Sequence, residues 1–186
     1  APYFIVSGDA WREIPFYKEI RKGSALDFSD TLDAPAGKYG PLIRRGDKLV
    51  FRDRPETPVR FYGTNISGTS YYLDREQADR FADRMAASGF NQIRIHHHDE
   101  PLTGTVSTRL QPKRMDQLEY LIAALKKRGI YVSSDLYVSR ITDRGEIPEF
   151  PDRAIGLDEY KGLFWIMDSV YENWKEYCRA FLNHVN

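Results

Sequence analysis

The chain has 186 residues with 27 basic and 27 acidic side chains. That is enough for one domain with a sizeable core, and the zero net charge gives no electrostatic case for nucleic acid or an anionic membrane. No apolar run approaches the roughly 20 residues needed to span a bilayer, and the single cysteine, Cys178, has no partner for an internal disulfide, which leaves the redox compartment open.

Residues 1–57 read as an irregular lead-in, dense in turn formers at "KGSALDFSDTLDAPAGKYGP". Two short β-prone runs in "PLIRRGDKLVFRDRPE" flank Arg45-Gly46-Asp47 and predict a hairpin. From residue 58 the pattern becomes regular. "VRFYGTNI" is strand-like. Asp74 then caps a helix, with Gln77 three residues on as in a capping box. Ala78, Phe81, Ala82 and Met85 share one face of that helix, and Gly89 stops it. "FNQIRIHH" is the next strand. The following helix starts near Pro112, buries Leu118, Leu121, Ile122 and Leu125, and ends at Gly129. "IYVSSDLYVS" is a third strand. Val170, Trp174, Tyr177, Cys178 and Phe181 give a third helical stripe, expected to be core.

This alternation implies βαβ units and a parallel sheet in the order one, two, three. The helix-to-strand joints "SGF" and "RGI" are minimal, whereas the strand-to-helix segments are long. Ligands of parallel α/β folds bind at the C-terminal ends of the strands, where those long segments lie. The pattern points to a (β/α)-type enzyme scaffold.

At "PVRFYGTNI", "FNQIRIHHHDE" and "LIAALKKRGIYVSSDLYVSR" the chain resembles the start of a clan A glycoside hydrolase catalytic domain, of the cellulase-like group around glycoside hydrolase family 5. The resemblance implies a TIM (β/α)8 barrel. Residues 1–57 would be the lead-in with its β-hairpin, and residues 58–186 the first three βα units. It covers residues 36–140. Tyr137 departs from it, standing where the family's third strand usually ends in histidine. The family's acid/base and nucleophile glutamates lie on later strands, which the resemblance puts beyond Asn186, and a complete barrel needs about 250 residues. No catalytic residue is therefore assigned within the 186 residues. The chain is expected to be an N-terminal part that lacks both glutamates and is inactive alone, with the remainder of the barrel needed to complete the fold.

Alternation along the second strand puts Ile93 and Ile95 on one face and Arg94, His96 and His98 on the other. An inward arginine is costly unless paired. The resemblance implies that Arg94 holds the nucleophile glutamate in its charged form; an ion pair with Asp135, which has the same inward parity on the third strand, is compatible with that role. Asp135 is expected to be structural and not the catalytic acid. Tyr137 either donates to a sugar hydroxyl or to the glutamate that the resemblance places elsewhere, or is an ordinary barrel tyrosine. Asn65, at the end of the first strand, either binds a sugar hydroxyl or caps its loop. Tyr71, Tyr72 and Trp165 are aromatic candidates for stacking on a sugar ring.

Three of the four histidines stand together at His96, His97 and His98, followed by Asp99 and Glu100. His96 and His98 have metal-compatible spacing, but the ligand set is thin, since His184 lies near a distant helix end. The preferred reading has His96 and His97 building a sugar subsite with Arg94 while His98 packs or hydrogen-bonds in the loop. The substrate-binding set is thus Asn65, Arg94, His96, His97 and Tyr137, with no cofactor. The leading function is hydrolysis of a β-linked poly- or oligosaccharide, retaining by resemblance. The alternatives are a metal-dependent (β/α)8 hydrolase using His96 and His98, and a non-catalytic structural or binding fragment. Resemblance favours a secreted or periplasmic bacterial location.

Overall fold

The computed structural model describes residues 8–10 and 20–185. The lead-in as read from sequence lies partly outside these. So does Asn186, the residue after which the resemblance expects the two catalytic glutamates, and that expectation falls outside the described residues altogether. The fold is mixed α/β, with two three-stranded sheets.

The first sheet is an antiparallel meander of β1 (Leu42–Arg45), β2 (Lys48–Phe51) and β3 (Arg54–Pro58). The expected hairpin is present, turning at Gly46 with φ 63°. The third strand is an addition to the sequence reading. Pro55 and Pro58 disguise it, and they are tolerated because β3 is an edge strand, where a missing N–H breaks no ladder. Phe51 stacks on Tyr131 with centroids 5.1 Å apart, and Phe61 meets the same ring edge-on at 5.6 Å.

The second sheet is parallel. Its strands β4 (Gly63–Ile66), β5 (Gln92–Ile95) and β6 (Tyr131–Ser134) lie in the order expected. Gly63 has a steric reason to be glycine: a Cβ there would lie 2.3 Å from the Gln92 carbonyl oxygen. Two helices cover one face, α1 (Arg75–Ala87) and α3 (Pro112–Lys127). α1 starts on the Asp74–Gln77 capping box, and α3 has Pro112 in its first turn, where a missing N–H costs nothing. Gly89 (φ 78°) and Gly129 (φ 86°) follow the helix ends in the left-handed conformation that favours glycine. Ile66, Ile93 and Ile95 pack under Ala78, Ala82, Leu118, Leu121 and Leu125 in one core.

The long segments gather at the C-terminal ends of these strands. After β5 comes α2 (Asp99–Leu102), with an isolated bridge between Thr103 and Leu110. After β6, residues 135–156 lead to α4 (Leu157–Leu163) and then α5 (Asp168–Leu182). Ile147, Ile155, Tyr160 and Val170 form a second core there, with Tyr137, Phe164 and Trp174 against it. The α5 stripe is internal as read from sequence: Val170 and Tyr177 are fully buried, and Trp174 donates its indole N–H to the Leu136 carbonyl at 2.7 Å. Among the described residues no helix is long and apolar enough to cross a membrane.

Candidate functional site

Register builds the site. Asn65, Arg94 and Ser133 are aligned across β4, β5 and β6, and their side chains leave the face opposite α1 and α3. Pairing runs one step further, because the His96 N–H donates to the Ile66 carbonyl at 2.9 Å and the Asp135 N–H to that of Ile95 at 3.4 Å. Arg94, His96 and Asp135 therefore meet at the strand ends. Arg94 grips Asp135 with Nη2 at 2.8 Å from Oδ2 and Nε at 3.2 Å from Oδ1. His96 Nδ1 lies 2.5 Å from Asp135 Oδ2. Burial alone would raise the Asp135 pKa; hydrogen bonds from His96 and Arg94, and the charge of the Arg94 guanidinium, outweigh it and hold the carboxyl below its ordinary value. The Arg94–Asp135 pair is the one expected from strand parity.

The chain then leaves the strand sharply. His97 has φ 58°, a left-handed conformation that is strained for a residue with a Cβ. Two contacts hold it: the Tyr71 hydroxyl donates to its carbonyl, and its ring stacks on His96 with centroids 3.9 Å apart. The twist reverses the alternation. His98 turns into the core between Tyr71 and Phe181, fully buried, with Nε2 2.7 Å from Ser134 Oγ. His96 and His98 thus do not share a face, which corrects the H-x-H arrangement read from the sequence. His184 pairs with Glu119 at 2.6 Å instead of approaching this cluster. No group of three or more His, Cys, Asp or Glu among the described residues is placed to hold a metal ion. His98 behaves as a packing residue, with burial pushing its imidazole pKa down and Asp99 partly opposing that.

Asp99, also fully buried, accepts the N–H groups of Val138 and Ser139 at 3.0 Å and the Ser139 hydroxyl. It ties the segment after β5 to the segment after β6. Tyr137 does not join Arg94. Its hydroxyl donates to the Lys161 carbonyl at 2.9 Å, and its ring stacks on Phe164 at 4.4 Å, against the second core. Tyr71 is not a rim platform either: it is fully buried, and burial pushes its hydroxyl up to about 12. Tyr72 is partly buried under the Arg114 guanidinium, 4.4 Å above its ring. Asn65 is exposed beside Arg94, and its side chain makes no capping bond among the described residues. Trp165 is 77% exposed on the turn between α4 and α5.

Sequence reasoning missed a second polar cluster. Arg140 is 1% exposed. It donates to the Ser107 carbonyl, to Ser107 Oγ at 2.9 Å and to Asn173 Oδ1 at 2.6 Å, and lies 4.5 Å above the Tyr177 ring. Glu146 joins indirectly, accepting the Ser107 N–H at 2.8 Å and the Asn173 amide at 3.3 Å. These residues sit mostly on loops without periodicity, so no local pattern marks them. A concavity of about 620 Å³ opens at the other end of the sheet, between Phe51, Phe61, Gln92, Tyr131 and Ser133. It is separate from the chemistry at the strand ends.

No protein-family model matches the chain, and no curated protein matches it. A solved structure described as "Glycoside hydrolase" is similar over 81% of this chain and 40% of its own, at 14% identity and TM-score 0.45. The chain thus spans less than half the length of that structure.

Proposed function

We propose that this chain supplies the sugar-binding part of a glycoside hydrolase acting on a β-linked poly- or oligosaccharide, within a clan A (β/α)8 barrel of the cellulase-like type. The observation that carries the reading is the Arg94–Asp135–His96 cluster, open on the face away from the helices at the C-terminal ends of three parallel strands. Arg94, His96, His97 and Asn65 are the substrate-facing set. Arg94 is half-exposed, and Asp135 uses only two of its three nitrogens.

A retaining glycosidase needs two carboxyl groups roughly 5–5.5 Å apart around the scissile bond. Asp99 and Asp135, two of the carboxylates at the strand ends, are both occupied as acceptors for internal donors. The reading assigns the acid/base and the nucleophile to barrel strands other than these three. It assigns Arg94 the task of keeping the nucleophile ionised, by charge and hydrogen bonding.

The test is hydrolysis of aryl β-glycosides and soluble β-glucans by residues 1–186, by the full-length protein and by its Arg94→Ala variant. The full-length protein is expected to turn over, residues 1–186 alone not, and Arg94→Ala to lose on the order of 10²-fold in kcat. Robust turnover by residues 1–186 alone would move catalysis onto carboxylates such as Glu100. Full activity of Arg94→Ala would end the role given to that residue.

A further inference from the structure

Asp135 decides which nitrogen of His96 carries the proton. Its Oδ1 receives Nε of Arg94 at 3.2 Å, and its Oδ2 receives Nη2 at 2.8 Å and faces His96 Nδ1 at 2.5 Å. The Arg94 and His96 contacts hold the carboxyl below its ordinary pKa, so it is ionised at neutral pH. An ionised carboxylate is an acceptor only. The proton in the short contact therefore sits on His96 Nδ1. In its neutral form the imidazole then has one N–H, on Nδ1, and Nε2 keeps its lone pair. Among the described residues neither His96 Nε2 nor Arg94 Nη1 has a hydrogen-bond partner. One atom is an open acceptor, the other an open donor, and both groups are anchored to the same carboxylate. The His97 ring, stacked at 3.9 Å, further restrains the imidazole.

We propose, resting on the sugar-subsite reading, that Asp135 is a positioning residue that fixes the Nδ1–H tautomer of His96, and that His96 Nε2 and Arg94 Nη1 together take a vicinal diol. One hydroxyl donates to Nε2, and its neighbour accepts from Nη1. A donor next to an acceptor matches two adjacent hydroxyls, each of which can act in either sense. It suits a carboxylate or phosphate poorly, because such a group would meet the lone pair of Nε2 with no proton to share.

Long-range proton–nitrogen NMR of the ¹⁵N-labelled protein at neutral pH reads the tautomer directly. The probes are cellotriose, whose 2,3-diol is trans, and mannotriose, whose 2,3-diol is cis. His96 is expected to show a protonated Nδ1 and a bare Nε2 that shifts when one of these sugars is added. His98, whose Nε2 faces Ser134 in the core, should not move. Asp135→Asn can either accept from or donate to Nδ1, so it should mix the tautomers and weaken sugar binding about tenfold, the worth of one hydrogen bond. His96→Phe keeps a ring against His97 but no acceptor, and should weaken binding by at least as much. A wild-type His96 protonated on Nε2 overturns the tautomer assignment. Sugar binding that survives His96→Phe and leaves Nε2 unmoved overturns the diol contact while the sugar reading stands. Failure of both sugars to bind a protein with the Nδ1–H tautomer overturns the sugar reading and the diol contact with it.

Discussion

Two arginines of this chain sit in opposite situations. Arg94 has a direct carboxylate partner, a side chain 40% exposed and a nitrogen to spare. Arg140 is 1% exposed, has no carboxylate within 4.0 Å among the described residues, and turns its donors on neutral oxygens of Ser107, Asn173 and Tyr160. A buried cation without a direct counter-ion survives only if its hydrogen bonds are well met. The Tyr177 ring face, 4.5 Å away, adds a cation–π contact. Arg140 is a closed system that pins the segments after β5 and β6 to α5. Arg94 is an open one. The proposed binding role of Arg94 rests on spare hydrogen-bonding capacity on a half-exposed, anchored group, which a brace lacks.

The sharpest way to break this contrast is to remove each arginine in turn. Arg140→Met should destabilise the protein by about 3 kcal/mol or more in denaturant unfolding, because it takes the Arg140 donors from the Ser107 carbonyl and Asn173 Oδ1 in a buried cluster. Arg140→Lys should rescue little, since an ammonium cannot span the same set of acceptors. If Arg140→Met unfolds at the wild-type denaturant midpoint, the brace is not one.

Acid separates the two regions next. Burial holds the His98 imidazole below its ordinary pKa of 6.5, so the folded chain refuses a proton that the unfolded chain accepts. Stability contributed this way is intact above 6.5 and falls as pH drops from there toward the folded value. The slope approaches at most about 1.4 kcal/mol per pH unit. The Asp135 carboxyl is also depressed, but its contribution is present above 3.8 and is lost only as pH falls through its lower folded value. The packing around His98 should therefore soften in mild acid while the Arg94–Asp135 pair holds. Denaturant midpoints of wild type and His98→Gln across that range check it, and an unchanged slope in His98→Gln would remove His98 as the cause.

Much of this was legible in the sequence. The Asp74–Gln77 capping box, the glycine stops, the strand order and the Arg94–Asp135 pair all follow from periods of 3.6 and 2. The failures share one physical cause, which is that periodicity says nothing once the backbone leaves its regular region. A single left-handed residue, His97, sent His98 to the other side of the sheet. Prolines hid β3, because propensity cannot tell an edge strand from a loop. Arg140 and Asn173 stand 33 positions apart in the chain, and only the folded loops bring them together.

Arg94→Ala comes next in size for stability, and the contrast with Arg140 predicts a small number. A half-exposed ion pair is worth about 0–1 kcal/mol, so unfolding should shift by less than about 1 kcal/mol while sugar affinity falls. A large loss of stability would mean that Arg94 is a second brace and that its open nitrogen is incidental.

The smallest effect is expected at His97. Glycine adopts φ 58° without strain, which favours His97→Gly in the folded state. Glycine also loses more backbone entropy on folding, and the ring stacked on His96 disappears. These terms oppose one another, so the net change in stability should stay within about 0.5 kcal/mol. The consequence for the site is not small in the same way. Without its stacking partner, the His96 ring is held only through Nδ1, and it should show broader side-chain NMR signals and weaker trisaccharide binding. His97→Asn separates the two contributions, because asparagine tolerates the left-handed backbone but offers no ring. If His97→Asn matches wild type in sugar affinity, the stacked imidazole is dispensable and the Asp135 contact alone orients His96. If both variants lose affinity at near-normal stability, the strained residue serves the open cluster and not the closed core.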